Sequence, residues 1–198
     1  MARRSDLREA LVEAAIEVID EQGLEALSVR EVARRAGVSS GAPFRHFPDK
    51  TALLTGVAED AMRRFTEHTE AAMAGVGPDP LTQFQALGVA FVRFAVEHPA
   101  HFRVMFRPDL GGPALDELRE ASRARFRELI VLGQAAGGLR AGDPEPIMLA
   151  AWAIVYGLAR MYADGVIAGL GLAEAPPEVL AEIVTRALGQ GIERPAEG

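Results

Sequence analysis

The chain has 198 residues, 49% of them hydrophobic, a formal net charge of −7 and no cysteine. That length can bury one or two sizeable cores, and the missing cysteine excludes disulfides, thiolate metal sites and cysteine nucleophiles. The acidic total means that any nucleic-acid function has to be carried by a local basic patch.

Leu7, Leu11, Ala14, Ala15 and Val18 recur at helical spacing and predict a first helix that ends before Gly23. Arg3 and Arg4 stand ahead of it as a basic arm. Asp6, Glu9, Glu13 and Glu17 interrupt what would be the apolar part of a secretion signal. Ser28 followed by Glu31 makes a capping box, so a second helix starts there. Val32, Ala33 and Ala36 share one of its faces, and Gly37 ends it, because the left-handed cap suits glycine. Val38 reads as an apolar plug at the corner.

Ser39 or Ser40 is expected to cap a third helix running to about Phe47, with Pro48 and Asp49 stopping it and capping the next. Its opening residues, Ser40, Gly41, Ala42 and Pro43, are poor helix formers. Small residues there let a backbone come close to a phosphate or a base edge, and Pro43 is tolerable within a first turn. Arg45 and His46 supply donors, while Phe44 and Phe47 supply apolar surface. Lys50 is the only lysine and lies in the first turn of the following helix. A cation there opposes the helix dipole by roughly 0.3–1 kcal/mol, a cost that a docked phosphate would reverse.

Between Arg30 and Lys50 five cations (Arg30, Arg34, Arg35, Arg45, Lys50) face two anions (Glu31, Asp49). Taken singly, each residue has an ordinary reading: His46 as a buried structural histidine, Arg34 and Arg35 as a solvated face. Taken in order, the set describes two short helices, a tight turn and a basic face, the arrangement of a helix-turn-helix DNA reader.

Beyond residue 51 nothing reads as a strand, so the chain is expected to be all-α. Helices are predicted over about 50–73, 81–97, a short stretch after Pro99, 114–134, 144–168 and 177–192, with glycine and proline at the breaks. The helix from Pro144 is apolar nearly all round. With Leu180, Ile183, Val184, Ala187 and Leu188 of the last helix it is expected to form a homodimer seam; the alternative is the central helix of a monomer. The uncharged run Pro146–Ala159 is too short for a bilayer, so a cytoplasmic protein without membrane contact is expected.

Phe91, Phe94, Phe102, Met105, Phe106, Trp152, Tyr156 and Met161 form the mixture expected of an apolar ligand pocket, although a solid core has the same composition. His98 and His101 are too few for zinc, and no acidic partner is evident near them, so neither a metal nor a cofactor is expected. No Gly-x-Ser-x-Gly elbow, phosphate loop or His-Glu-x-x-His motif occurs. An enzyme is therefore not expected, with an all-α enzyme using the His98/His101 region as the remote alternative.

The stretch from Leu7 through Thr51-Ala-Leu-Leu resembles the DNA-binding domain of the TetR family of bacterial one-component regulators. The resemblance implies a three-helix reader over residues 1–50 and a helical ligand-binding and dimerisation domain over 51–198. It also implies DNA contacts by Arg30, Ser39, Ser40, Gly41, Ala42, Phe44, Arg45, His46 and Lys50. The partners it implies are a double-stranded operator, a second copy of the chain and a small apolar or amphipathic effector. Two positions depart from the family pattern. Phe44 stands where tyrosine is usual, which removes a phosphate-binding hydroxyl, and Arg45 is positioned to substitute for it. The phrases His98–Phe106 and Trp152–Gly157 resemble a C-terminal subtype marked by Trp, three residues, then His-Gly, but Tyr156 replaces that histidine.

Overall fold

The computed structural model describes the backbone of residues 4–192 and the side chains of residues 7–189. The basic arm expected at Arg3 lies outside the described residues, and Arg4 belongs to the first helix instead of preceding it. Among the described residues there are nine α-helices and no strand, as the apolar spacing predicts: α1 (Arg4–Gln22), α2 (Val29–Arg35), α3 (Lys50–Ala74), α4 (Pro80–Glu97), α5 (Pro99–Met105), α6 (Pro113–Ala135), α7 (Pro144–Ala163), α8 (Val166–Gly169) and α9 (Pro177–Ile192).

The chain forms two compact units. The first comprises residues up to Arg64 together with His98–Leu118; the second comprises Phe65–Glu97 together with the residues from Arg119 onward. In the first unit α1 packs on α2, on the short 3-10 turn Leu24–Ala26 and on α5. Its core is built from Leu11, Ala15, Val18 and Ile19 of α1, Leu27, Val32 and Ala33, and Leu53 and Val57 of α3.

α5 starts on Pro99, where a missing N–H costs nothing, and buries Ala100, Phe102, Val104 and Met105. His101 is buried too, and its Nε2 lies 3.4 Å from Asp60 Oδ2 on α3. Asp60 also accepts a hydrogen bond from Arg64 Nε at 2.7 Å. Burial pushes the Asp60 carboxyl up, but His101 and Arg64 outweigh it and hold it below the ordinary carboxylate range. The acidic partner that the sequence around His101 does not reveal is therefore Asp60, supplied by another helix. No group of side chains suited to hold a metal occurs among the described residues.

In the second unit α4, α7 and α9 pack on one another. Phe84, Ile130, Leu139, Ile147 and Ala151 form a core against which Leu81, Phe126, Met148 and Leu188 pack. The unit also holds a knot of rings: Phe65 meets Phe91 and Phe94 edge-on, each at 5.4 Å between centroids.

α7 ends at Ala163, five residues before the expected Ala168, because Gly165 takes a left-handed φ of 72° and the chain restarts as the single turn α8. By length and composition α7 is long and apolar enough to cross a membrane, which the uncharged run alone does not reveal. Its burial is one-sided, however. Ile147, Ala151, Val155, Leu158 and Ala159 face inward, while Leu149 is 65% and Trp152 42% exposed. α9 divides in the same way, with Ala181 and Thr185 buried and Val179, Ile183 and Ala187 exposed. Leu188, expected on the seam, packs instead on the unit's own core.

Candidate nucleic-acid interface

Local capping chemistry builds the reader. Ser28 Oγ accepts a hydrogen bond from the Glu31 amide at 3.1 Å, which fixes the start of α2. At its end Gly37 adopts a φ of 68°, and the amides of Gly37 and Val38 donate to the carbonyls of Arg34 and Ala33. These are the two bonds of a Schellman cap, and they turn the chain sharply toward residue 39.

The segment that follows is not the α-helix expected to run to Phe47. Residues 39–42 form a turn and Pro43–Arg45 a single 3-10 turn. Ala42 N donates to Ser39 O, and His46 N to Pro43 O, three residues back in each case. The cause is Pro43, which has no N–H to bond the Ser39 carbonyl, so the α-helical register cannot propagate across the tip. Neither serine caps the 3-10 turn, whose N-cap Ala42 has no side-chain hydrogen bond. Asp49 does cap the next helix, accepting from the Ala52 amide at 2.8 Å.

Phe47 anchors the tip. Its side chain is 2% exposed and lies over Gly56 of α3, so close that a Cβ on Gly56 would stand 2.7 Å from Phe47 Cε1. Phe44, by contrast, points outward and is 48% exposed, and Ser39, Ser40, Gly41 and Arg45 are exposed around it. Ala42 and His46 are half-buried. Gly41 has no left-handed φ, and a Cβ added there would meet nothing within 4 Å. Nothing in the protein's own packing demands glycine at this point.

The five cations of the basic stretch divide into two kinds. Arg34 is paired with Glu31 through two hydrogen bonds, and Arg35 bridges Glu17 and Glu21 of α1. Hydrogen bonds to these carboxylates raise the pKa of both guanidiniums. Arg30 and Arg45 are exposed and have no carboxylate partner among the described residues. Lys50 is half-buried, and its Nζ donates to the Leu24 carbonyl at 3.2 Å. That bond gives the cation at a helix start an internal reason to be there, and two further ammonium hydrogens remain for an external acceptor.

The eight candidate pocket residues are distributed over both units. Phe102, Met105 and Phe106 belong to the first; Phe91, Phe94, Trp152, Tyr156 and Met161 belong to the second. Phe102 and Phe106 meet edge-on at 6.1 Å, and Trp152 and Tyr156 lie 5.5 Å apart. A groove of 470 Å³ in the second unit is lined by Ala72, Val76, Ala86, Val89 and Ala90 with Arg93, Glu182 and Arg186 at its sides, and by none of those eight.

A capped helix with the uncommitted Arg30, a tight turn and an exposed tip with the uncommitted Arg45 make this chain a helix-turn-helix DNA-binding regulator. A family model described as bacterial regulatory proteins, tetR family, matches residues 11–57, and one for the tetracyclin repressor-like C-terminal domain matches residues 84–188. The HTH-type transcriptional regulator BetI of Stenotrophomonas maltophilia (strain R551-3) is 35% identical over 80 residues, which is 40% of this chain and 41% of BetI. The match thus spans about two fifths of that relative's length. A Rhodococcus sp. RHA1 protein of unknown function superposes with a TM-score of 0.80 at 30% identity, over 95% of this chain and 96% of that one. The TetR family regulator PfmR of Thermus thermophilus superposes at 0.72 and 22% identity, over 93% and 99% of the two chains. The chain belongs to the TetR family of bacterial transcriptional regulators.

Proposed function

We propose that this regulator is a cytoplasmic homodimeric repressor that leaves a palindromic operator when a small hydrophobic ligand binds. The observation that carries the DNA half of this reading is the split among the cations. Arg34 and Arg35 are neutralised internally by carboxylates, whereas Arg30 on α2 and Arg45 in the tip are exposed with no carboxylate partner among the described residues. Arg30 is assigned to a base edge, and Arg45, Lys50 and His46 to phosphates. Ser39, Ser40, Gly41, Ala42 and Phe44 are assigned to the groove wall, with residues 1–50 as the reading domain and 51–198 as the effector and dimer domain.

Dimerisation is supported by the exposed apolar residues on α7 and α9, since soluble monomers rarely leave such a stripe open. The effector is assigned to the aromatic residues from Phe91 to Phe106 and from Trp152 to Met161. α3 and α6 each contribute to both compact units, which makes them covalent routes by which a ligand acts on the reader. The ligand acts only through its different affinity for the DNA-competent and released states.

The test is a mobility shift with DNA flanking the protein's own gene, at two salt concentrations and with random competitor, followed by a footprint. Two protected half-sites about one helical turn apart support the dimeric reader. No shift at low salt refutes it. Compounds that release the shift and raise the melting temperature identify the effector class.

Two variants separate kinds of contact. Arg45→Ala is expected to weaken operator and random DNA alike and to lower the salt slope by about one unit per subunit. An unchanged slope removes Arg45 from the phosphate contacts. Gly41→Val is expected to leave the melting temperature within about 1 °C, because an added Cβ meets nothing within 4 Å. It should nevertheless cost about fivefold to a hundredfold in operator affinity, the scale of roughly 1–3 kcal/mol for a lost groove contact. Wild-type affinity in Gly41→Val would show that no groove wall approaches this residue.

A further inference from the structure

Arg8 lies on α1, well outside the helix-turn-helix, and no local pattern singles it out. In the fold it makes two contacts at once and stands beside a third residue. Its Nη2 donates to Glu59 Oε2 on α3 at 2.7 Å. Its guanidinium carbon stands 5.4 Å from the centroid of the Phe47 ring. The same Nη2 would be 3.5 Å from a Cβ on Gly56, which places the guanidinium beside the seat that receives Phe47. Glu59 is largely buried, at 13% side-chain exposure, and Arg63 also approaches it at 3.5 Å.

Resting on the DNA-binding reading above, we infer that Arg8 is the positioning residue of the DNA-reading tip: it clamps the Phe47 ring onto α3 through Glu59 and so sets the pose in which residues 39–45 meet DNA. The tip is held by one 3-10 turn and has no α-helical ladder of its own, so its orientation depends on its anchor. That anchor has two walls. Gly56 is the floor, and Arg8 is the lid, its guanidinium attracted to the face of the ring by the ring quadrupole and held through Nη2 by a charge-assisted hydrogen bond to Glu59. The Arg8 guanidinium is engaged by both the Phe47 ring and Glu59, so it acts through Phe47 and not by touching DNA. Glu59 links the lid to α3, and a displacement of α3 therefore moves the ring that carries the tip.

The experiment uses the full-length protein and DNA selected by it from a random pool. Affinities for that DNA and for random DNA are measured across a salt series for the wild type, Arg8→Gln, Arg8→Lys, Glu59→Gln and the double variant Arg8→Gln/Glu59→Gln. Arg8→Gln is expected to lower the ratio of selected to random affinity by about fivefold to tenfold, the scale of a lost cation–π contact and charged hydrogen bond. The salt slope should not change. Glu59→Gln should lose a similar amount, the double variant little more, and Arg8→Lys should recover most of the ratio by restoring the bond to Glu59.

Three results overturn the assignment. A fall of about one in salt slope would make Arg8 a phosphate contact. Equal losses on selected and random DNA would make it merely structural. Additive losses, or no recovery in Arg8→Lys, would sever Arg8 from Glu59. A wild-type protein that selects no sequence at low salt refutes the DNA-binding reading itself and this inference with it, a result none of the other outcomes resembles.

Discussion

Gly56→Val is expected to release the recognition tip from α3 and to lower both the stability of the first unit and its operator affinity. The added Cβ would lie 2.7 Å from Cε1 and 3.1 Å from Cζ of Phe47, and the obstacle is a rigid ring, not the free end of a flexible chain. Phe47 is itself closed in at 2% exposure, with Arg8 over its face, so the ring cannot step aside. Overpacking of this kind costs about 1–3 kcal/mol, and the cheapest relief is to swing residues 43–47 outward. The melting temperature should therefore fall, and the mobility shift should weaken by more than the loss of folded protein explains. If melting and affinity both stay at wild-type values, Phe47 is not the anchor of the tip.

Ile183→Glu combined with Leu149→Glu is expected to give a folded monomer with poor operator affinity. Ile183 is 57% and Leu149 65% exposed, so neither supports the core of its own subunit, and the change in monomer stability should stay within about 0.5 kcal/mol. If α7 and α9 meet their copies across a two-fold axis, the same substitutions bury four carboxylates in an apolar seam, which few interfaces tolerate. Losing the second half-site removes the gain from linked binding, roughly two orders of magnitude or more. Sedimentation velocity and a mobility shift read the two effects together. A double variant that remains dimeric would place the seam elsewhere.

The parts legible in the sequence are those set by neighbouring residues. The Ser28 N-cap, the left-handed Gly37, the Asp49 cap and the breaks at Pro80 and Pro99 all act over a few positions, and each is seen where local chemistry puts it, although the Glu31 carboxylate of the expected capping box turns to Arg34 instead. The segment after Ser40 shows how a local rule can be noticed and underweighted. Its poor helix formers are visible, yet the missing Pro43 amide removes the bond that an α-helix from Ser39 to Phe47 would need. What the sequence could not reveal depends on distance. Asp60 beneath His101, Glu59 beneath Arg8, the Leu24 carbonyl at Lys50 and the Gly56 floor under Phe47 join residues on separate elements. Hydrophobic periodicity names the inward face of a helix but not what it meets. α9 illustrates this, because Leu188 and Ile183 look alike in sequence, yet one packs on the core and the other stands in solvent.

The compact unit that holds the tip is not a contiguous piece of chain. α5 and the loop after it return to the unit that holds α1, α2 and the tip, bringing His101 to Asp60 and burying Phe102 and Met105. Recombination that swaps the first 50 residues between such regulators therefore transplants half of a packed interface and leaves its mate behind. Useful hybrids would have to carry α5 along with the reader, or choose parents whose α5 residues already match. On the proposed assignment of the tip to the groove, exchange of operator preference is more readily reached by changing its few exposed side chains, which support nothing else.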